Sequence, residues 1–239
     1  MTSTNVAPVL LVLGAGPGLG MSVARAFGRR GYRVALASRS AARHPGYVGE
    51  LRTLGVDATA FPVDVSVPGA AADLVATVRE HFGRIDAAYY GAAAPVAMGP
   101  VTELGPDGAT AALATVAPAV EFAGAVLPDL RTNGGAVVFA GGLSAVVPMP
   151  DVGGLALVAA AYRAYALNLH AALAPEGVYA GTLTVGGMID GGDIAAATRA
   201  SAPEADLAAI TLRPDDLAER VWRMVQERDA GEVLVDVIS

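Results

Sequence analysis

Short, uninterrupted apolar runs alternate along the chain with longer stretches whose apolar positions recur at helical spacing. Val9–Leu13 is apolar throughout and of strand length, while residues 19–30 place Val23, Ala26 and Phe27 on one helical face. The same reading predicts further strands at 33–37, 58–62, 85–90, 136–140, 179–185 and 232–237. Between them it predicts helices at 43–54, 68–82, 107–130, 153–174 and 214–226, the first weakened by Pro45 and Gly46. Strands separated by helices take right-handed crossovers, so the pattern implies one α/β domain over 1–239. Its sheet is doubly wound, seven-stranded and parallel. There is no repeat and no linker. Ligands of such sheets sit beyond the carboxyl ends of the strands, at the switch in strand order, so the loops after each strand carry the information. The segment 186–212 is expected to form a short lid on the substrate side.

Composition narrows the picture. The 239 residues are 54% hydrophobic and 16% charged, which suits a globular core and excludes a disordered chain. A net charge of −7 argues against nucleic acid or an anionic membrane as partner. The absence of Cys excludes disulfides, thiol nucleophiles and cysteine metal sites, and His44, His81 and His170 have no metal-ligand spacing. Residues 1–8 carry no positive side chain for a signal peptide, and Gly14 and Gly16 cut short the only apolar run near them. The uncharged stretch 134–150 is likewise interrupted by Gly and Pro. The expectation is a cytoplasmic protein without a transmembrane helix.

The first strand leads into Gly14-Ala-Gly16-Pro-Gly18-Leu19-Gly20, which opens the first helix. Glycines there permit a tight turn and let the backbone approach a pyrophosphate, which a helix N-terminus favours. In a strand–turn–helix context the Gly-x3-Gly-x-Gly spacing is a specific signal. Together with Asp64-Val65, His81-Phe-Gly-Arg-Ile-Asp86 and Leu173-Ala-Pro-Glu-Gly177, it resembles the short-chain dehydrogenase/reductase superfamily over essentially the whole chain. The resemblance implies a Rossmann domain with its sheet in the order 3-2-1-4-5-6-7, binding a nicotinamide dinucleotide through Gly14, Gly16, Gly18, Leu19 and Gly20, with Gly91 and Ile189 further along the cofactor. Asp64 would meet the adenine amino group and Val65 would pack beside it; a helix N-cap role for Asp64 is compatible with both. Ser38 stands where NAD-preferring members carry Asp, and Arg39 beside it is suited to a 2′-phosphate, or is simply a solvated arginine. The cofactor expected is therefore NADP(H).

The family's reaction rests on a Tyr-x-x-x-Lys pair, a Ser and an Asn, and none is in place. All sixteen basic residues are Arg, so no lysine exists anywhere. Counting from flanking landmarks puts the Tyr site at Leu155, the Lys site at Ala159, the Ser pair at Gly141 and Gly142, and the Asn site at Thr115. Removing a positioned acid/base costs on the order of 10²–10⁴ in rate, so the usual alcohol–ketone mechanism is not expected. Ser144, Tyr90 and Thr115 are the candidate replacements, each equally served by a plain loop or core role. Asp151, before the long helix, is a weaker one. Tyr162 shares the face of the Tyr site two turns on; with Arg163 and Tyr165 it is expected in packing or a subunit contact, and His170 on the exposed or interface side. The resemblance then implies an atypical NADP(H)-dependent oxidoreductase acting on a small-molecule substrate. The alternatives are a cyclase, isomerase or dehydratase on the same scaffold, or a non-catalytic NADP(H)-binding partner or sensor. A homodimer or homotetramer built on helices 107–130 and 153–174 is expected.

Overall fold

The apolar runs become strands because each buries side chains on both faces of one sheet. The computed structural model describes residues 6–93 and 96–239, so part of the segment bearing on a leader lies outside the described residues. In chain order the elements are β1 (Val9–Leu13), α1 (Leu19–Gly28), β2 (Arg33–Ser38), α2 (His44–Thr53), β3 (Ala58–Pro62) and α3 (Ala70–Phe82). There follow β4 (Ala87–Tyr90), α4 (Pro106–Ala114), α5 (Ala117–Asn133), β5 (Ala136–Gly142), α6 (Gly153–Leu173) and β6 (Tyr179–Gly186). The chain ends with β7 (Met188–Ile189), α7 (Asp193–Ser201), β8 (Thr211–Leu212), α8 (Pro214–Glu227) and β9 (Glu232–Asp236). The main sheet has seven strands in the order β3-β2-β1-β4-β5-β6-β9, all neighbours parallel. Counted among main-sheet strands alone, this is the expected order.

Two cores sandwich the sheet. Alternate residues of β1 divide between them, Val9, Leu11 and Leu13 facing Phe122, Val126 and Leu130 of α5 and Val75 and Val78 of α3. Leu10 and Val12 face Phe27 of α1 and Val221 and Val225 of α8. Each such side chain stabilises the fold by roughly 1.5–3 kcal/mol when fully buried. The strand tips are thereby held rigid, and β1 and β4, whose crossovers leave in opposite directions, leave a crevice between them.

One predicted helix departs from expectation, and one weakened by proline forms. The predicted helix 107–130 is two helices, broken at Thr115 and Val116. Pro118 has no N–H for the carbonyl four residues back, so the ladder cannot run through. α2 forms in spite of Pro45, because the proline falls in the first turn, where no intrahelical N–H is required. Against the expectation of no membrane-spanning stretch, Pro106–Asn133 qualifies by length and apolarity alone. The stretch breaks at Thr115, and Phe122, Ala123, Val126 and Leu130 are buried in the core while Leu113 and Val120 are exposed. The segment expected to act as a lid holds β7, α7 and β8, with β7 and β8 paired in a separate two-stranded parallel sheet.

Candidate functional site

The crevice is built first of backbone. Gly14 has φ +96°, and a Cβ there would lie 2.4 Å from the Gly91 carbonyl carbon. The N–H groups of Gly14 and Ala15 both donate to the Ala37 carbonyl at 2.9 Å, and Gly91 N–H donates to the Leu13 carbonyl at 2.8 Å. These bonds fasten the tips of β1, β2 and β4 together. A Cβ on Gly20 would meet the Gly14 carbonyl oxygen at 2.5 Å, whereas one on Gly16 has nothing nearer than 4.0 Å. Gly18 precedes α1 without any side-chain cap, leaving the first-turn N–H groups turned to the crevice unpartnered by a capping side chain. An uncapped N-terminus beside an open glycine is the shape and polarity a pyrophosphate requires. The residues present fit a dinucleotide.

The crevice opens into a cleft of about 1240 Å³. It gathers every predicted cofactor contact: Gly14, Gly16, Gly18, Leu19, Gly20, Ser38, Arg39, Asp64, Val65, Gly91 and Ile189. At the β2–β3 end, Ser38 Oγ lies 2.8 Å from His44 Nε2, and burial pushes the His44 ring below its usual pKa. Arg39 is exposed and has no hydrogen-bond or ion-pair partner among the described residues. Asp64 accepts from the Ser66 hydroxyl at 2.7 Å and the Ser66 N–H at 3.0 Å. Those bonds, then the Arg39 charge, hold its carboxyl below the usual range. Asp64 therefore closes a turn and is not the cap of α3, which begins after Gly69. Glu121 reaches from α5 to that helix start, accepting from Ala72 N–H at 3.0 Å and Gly69 N–H at 3.3 Å.

The β4–β6 end is lined without charge. Tyr90 is 3% exposed and packs against Phe122, Phe139 and Tyr162, with ring centroids 5.6 to 6.0 Å apart. Burial, reinforced by Tyr162, pushes its phenol well above the usual pKa, so it stays protonated. Tyr162 donates to the Thr115 carbonyl at 2.9 Å and is also raised by burial. The Thr115 hydroxyl is spent on the Ala112 carbonyl at 2.7 Å. Tyr90, Thr115 and Tyr162 line the cleft with Gly141; Ser144 and Asp151 are not among its lining residues. Ser144 Oγ stands 3.9 Å from where a Gly142 Cβ would be, in the short turn Leu143–Ala145.

On α6 the packing alternative holds for Tyr162 and Tyr165, while the exposed placement expected of His170 is corrected. Tyr162 packs as a buried residue of the cleft wall and donates to the Thr115 carbonyl at the helix break. Arg163 pairs with Glu232 at 2.6 and 2.8 Å, and Tyr165 packs on Phe139. His170 is half-buried, its Nδ1 3.0 Å from the Ala180 carbonyl and its ring edge-on to Tyr179. Arg43, Tyr47 and Asp193 also line the cleft, and no motif in the sequence marks them.

Residues 8–202 match the family described as short chain dehydrogenase. A stretch of 81 residues is 42% identical to versicolorin reductase 1 of Aspergillus parasiticus, covering 33% of this chain and 30% of that protein. The curated relatives are matched over about a third of their own length. Among solved structures, a variant of actinorhodin polyketide ketoreductase with NADPH aligns at TM-score 0.85 and 22% identity, over 97% of this chain and 96% of that one. A short chain oxidoreductase from Pseudomonas aeruginosa PAO1, described as containing an atypical catalytic center, aligns at TM-score 0.83 and 18% identity over 96% and 95%. At such identities the structural likeness establishes the fold, and the family match, which spans most of the sequence, establishes the lineage. The chain belongs to the short chain dehydrogenase family.

Proposed function

We propose that the cleft binds NADP(H) and that the chain is an oxidoreductase of small molecules working without a Tyr-x-x-x-Lys pair. The observation that carries this is the uncapped start of α1 beside Gly16, with an unpartnered Arg39 next to a non-acidic Ser38. The backbone N–H groups of Gly16, Gly18, Leu19 and Gly20 would hold the pyrophosphate, and Arg39 the 2′-phosphate. Asp64 and Val65 would border the adenine, with Gly91 and Ile189 further along. When bound, the nicotinamide supplies or accepts a hydride. At that end Tyr90 keeps a proton on its hydroxyl, and Tyr162, anchored on Thr115, fixes the ring beside it. Apolar walls there exclude water and favour an uncharged substrate. The segment 186–212 serves as a lid on this side.

Titration calorimetry with NADPH and NADH tests the reading. NADPH should bind at least several-fold more tightly, and Arg39→Ala should erase most of the difference, since a charge-assisted hydrogen bond contributes roughly 1.5–3 kcal/mol. A protein binding neither dinucleotide overturns it. A non-catalytic NADP(H)-binding sensor is the second reading. It is favoured by the raised phenols and by the Gly141–Gly142 pair, which offer no acid near neutral pH. Turnover of ketones, enones and imines favours the oxidoreductase; binding without turnover favours the sensor.

A further inference from the structure

The β2–β3 end of the cleft carries a second arginine that no motif identifies. Arg43 ends the turn Ala41–Arg43 before α2 and places Nη1 2.9 Å from the carboxylate of Asp193. Asp193 is the first residue of α7, 150 positions along the chain, so the pair bridges the cleft mouth. The two side chains are 54% and 64% exposed. An ion pair that open to solvent contributes little to stability and exchanges partners readily. Beside it, the Tyr47 hydroxyl is buried next to the Arg43 guanidinium, which only donates, and among the described residues it meets no acceptor for its own proton, although Tyr47 lines the cleft. Buried hydroxyls are normally satisfied, so a lone one in a binding cleft marks the place of a missing acceptor. Asp64, the other carboxylate close by, is already committed to Ser66. Two guanidinium groups thus flank this end, Arg39 without a partner among the described residues and Arg43 held by the exposed carboxylate of Asp193 with the Tyr47 hydroxyl alongside.

We infer that Arg43 is a second selector of a phosphorylated adenosine ribose, exchanging Asp193 for the 2′-phosphate, where the Tyr47 hydroxyl also finds its acceptor. The inference rests on the NADP(H) reading and goes beyond the Ser38–Arg39 pair. A phosphate dianion accepts a planar arginine fork in two parallel hydrogen bonds, which an exposed carboxylate holding one nitrogen does not match. Arg43→Lys would keep the charge and lose the fork.

The experiment is calorimetric titration of NADPH, NADH and 2′-AMP into wild type, Arg43→Ala, Asp193→Asn and Tyr47→Phe. Arg43→Ala is expected to weaken NADPH and 2′-AMP about tenfold or more and leave NADH unchanged. Asp193→Asn is expected to tighten both phosphorylated ligands several-fold, because the competing carboxylate is gone, again without moving NADH. Tyr47→Phe should weaken NADPH a few-fold. An NADPH-to-NADH ratio that survives Arg43→Ala overturns the inference while leaving the NADP(H) reading intact. An NADPH affinity unmoved or lowered by Asp193→Asn overturns the exchange. A wild-type chain that binds neither dinucleotide nor 2′-AMP overturns the NADP(H) reading, and this inference with it.

Discussion

Gly14 and Gly16 stand two residues apart in one turn, yet a methyl group added to each meets different surroundings. At Gly14 it lands 2.4 Å from backbone and at φ +96°, while at Gly16 the protein leaves it free to 4.0 Å. The first position is required by the fold and the second only by what the crevice holds. Gly16→Val should therefore remove dinucleotide binding with little change in Tm. Gly14→Ala should cost stability by about 1–3 kcal/mol, the range for a strained backbone conformation or an overpacked site. Thermal melts and calorimetry on both variants check this, and Gly16→Val protein that binds NADPH normally would remove the turn from the site. Gly18 is less clean as a probe, since its added Cβ would lie 3.1 Å from Gly192 in the lid segment. At this scale the crevice was legible because a glycine spacing directly encodes a backbone shape. The far end was not. Tyr162 answers to a carbonyl freed by a helix break, Arg43 and Asp193 meet across 150 positions, and neither relation leaves a local pattern.

The helices explain where legibility ended between elements. Apolar periodicity found α5 and α6 because each keeps one buried face, but it ran straight through Thr115, since the residues on either side are equally apolar. The missing N–H of Pro118 falls at the junction of α4 and α5, a matter of hydrogen bonding and not of hydrophobic pattern. The strands β7 and β8 have two residues each, too short for any period. Part of what remains outside on these helices is apolar. Leu113 of α4, Val120 of α5 and Leu157 of α6 are exposed, and Gly124 of α5 has open space above it. Such a face suits close packing against a second copy of the same chain, the association proposed for this protein. Light scattering at micromolar concentration should give a dimeric or tetrameric mass. Leu113→Glu with Val120→Glu should give a monomer that still binds dinucleotide, because neither residue lines the cleft. A wild-type chain that is monomeric at that concentration removes this face from consideration as an interface.

Across the whole molecule the tyrosines form a reporter of folding. Tyr32, Tyr89, Tyr90, Tyr162, Tyr165 and Tyr179 are all raised from the usual phenol pKa, each with burial as the first cause, and Tyr179 is pushed to about 12. They sit on β4, β6 and α6 and in the turn before β2, so together they sample the sheet and a helix on one of its faces. Raised values mean that the folded chain holds these protons more tightly than the unfolded chain does. Their contribution is fully present below about pH 10, the unfolded value, and is lost as pH rises towards the folded values. Between those limits each fully buried phenol steepens the loss by at most roughly 1.4 kcal/mol per pH unit, and partly exposed ones by less. Urea melts at pH 8 and 9 should therefore give nearly equal stabilities as far as tyrosine is concerned, with a steep fall beginning above pH 10. Tyrosinate absorbance should lag behind a free-tyrosine titration and then rise together with loss of the helical circular dichroism signal, because the buried phenols ionise by unfolding. Phenols that titrate near pH 10 while the helical signal is intact would mean that the sheet tips around Tyr89 and Tyr90 are open to water. The dry, uncharged end ascribed to the cleft would then be lost along with the protonated Tyr90 that the proposed chemistry uses.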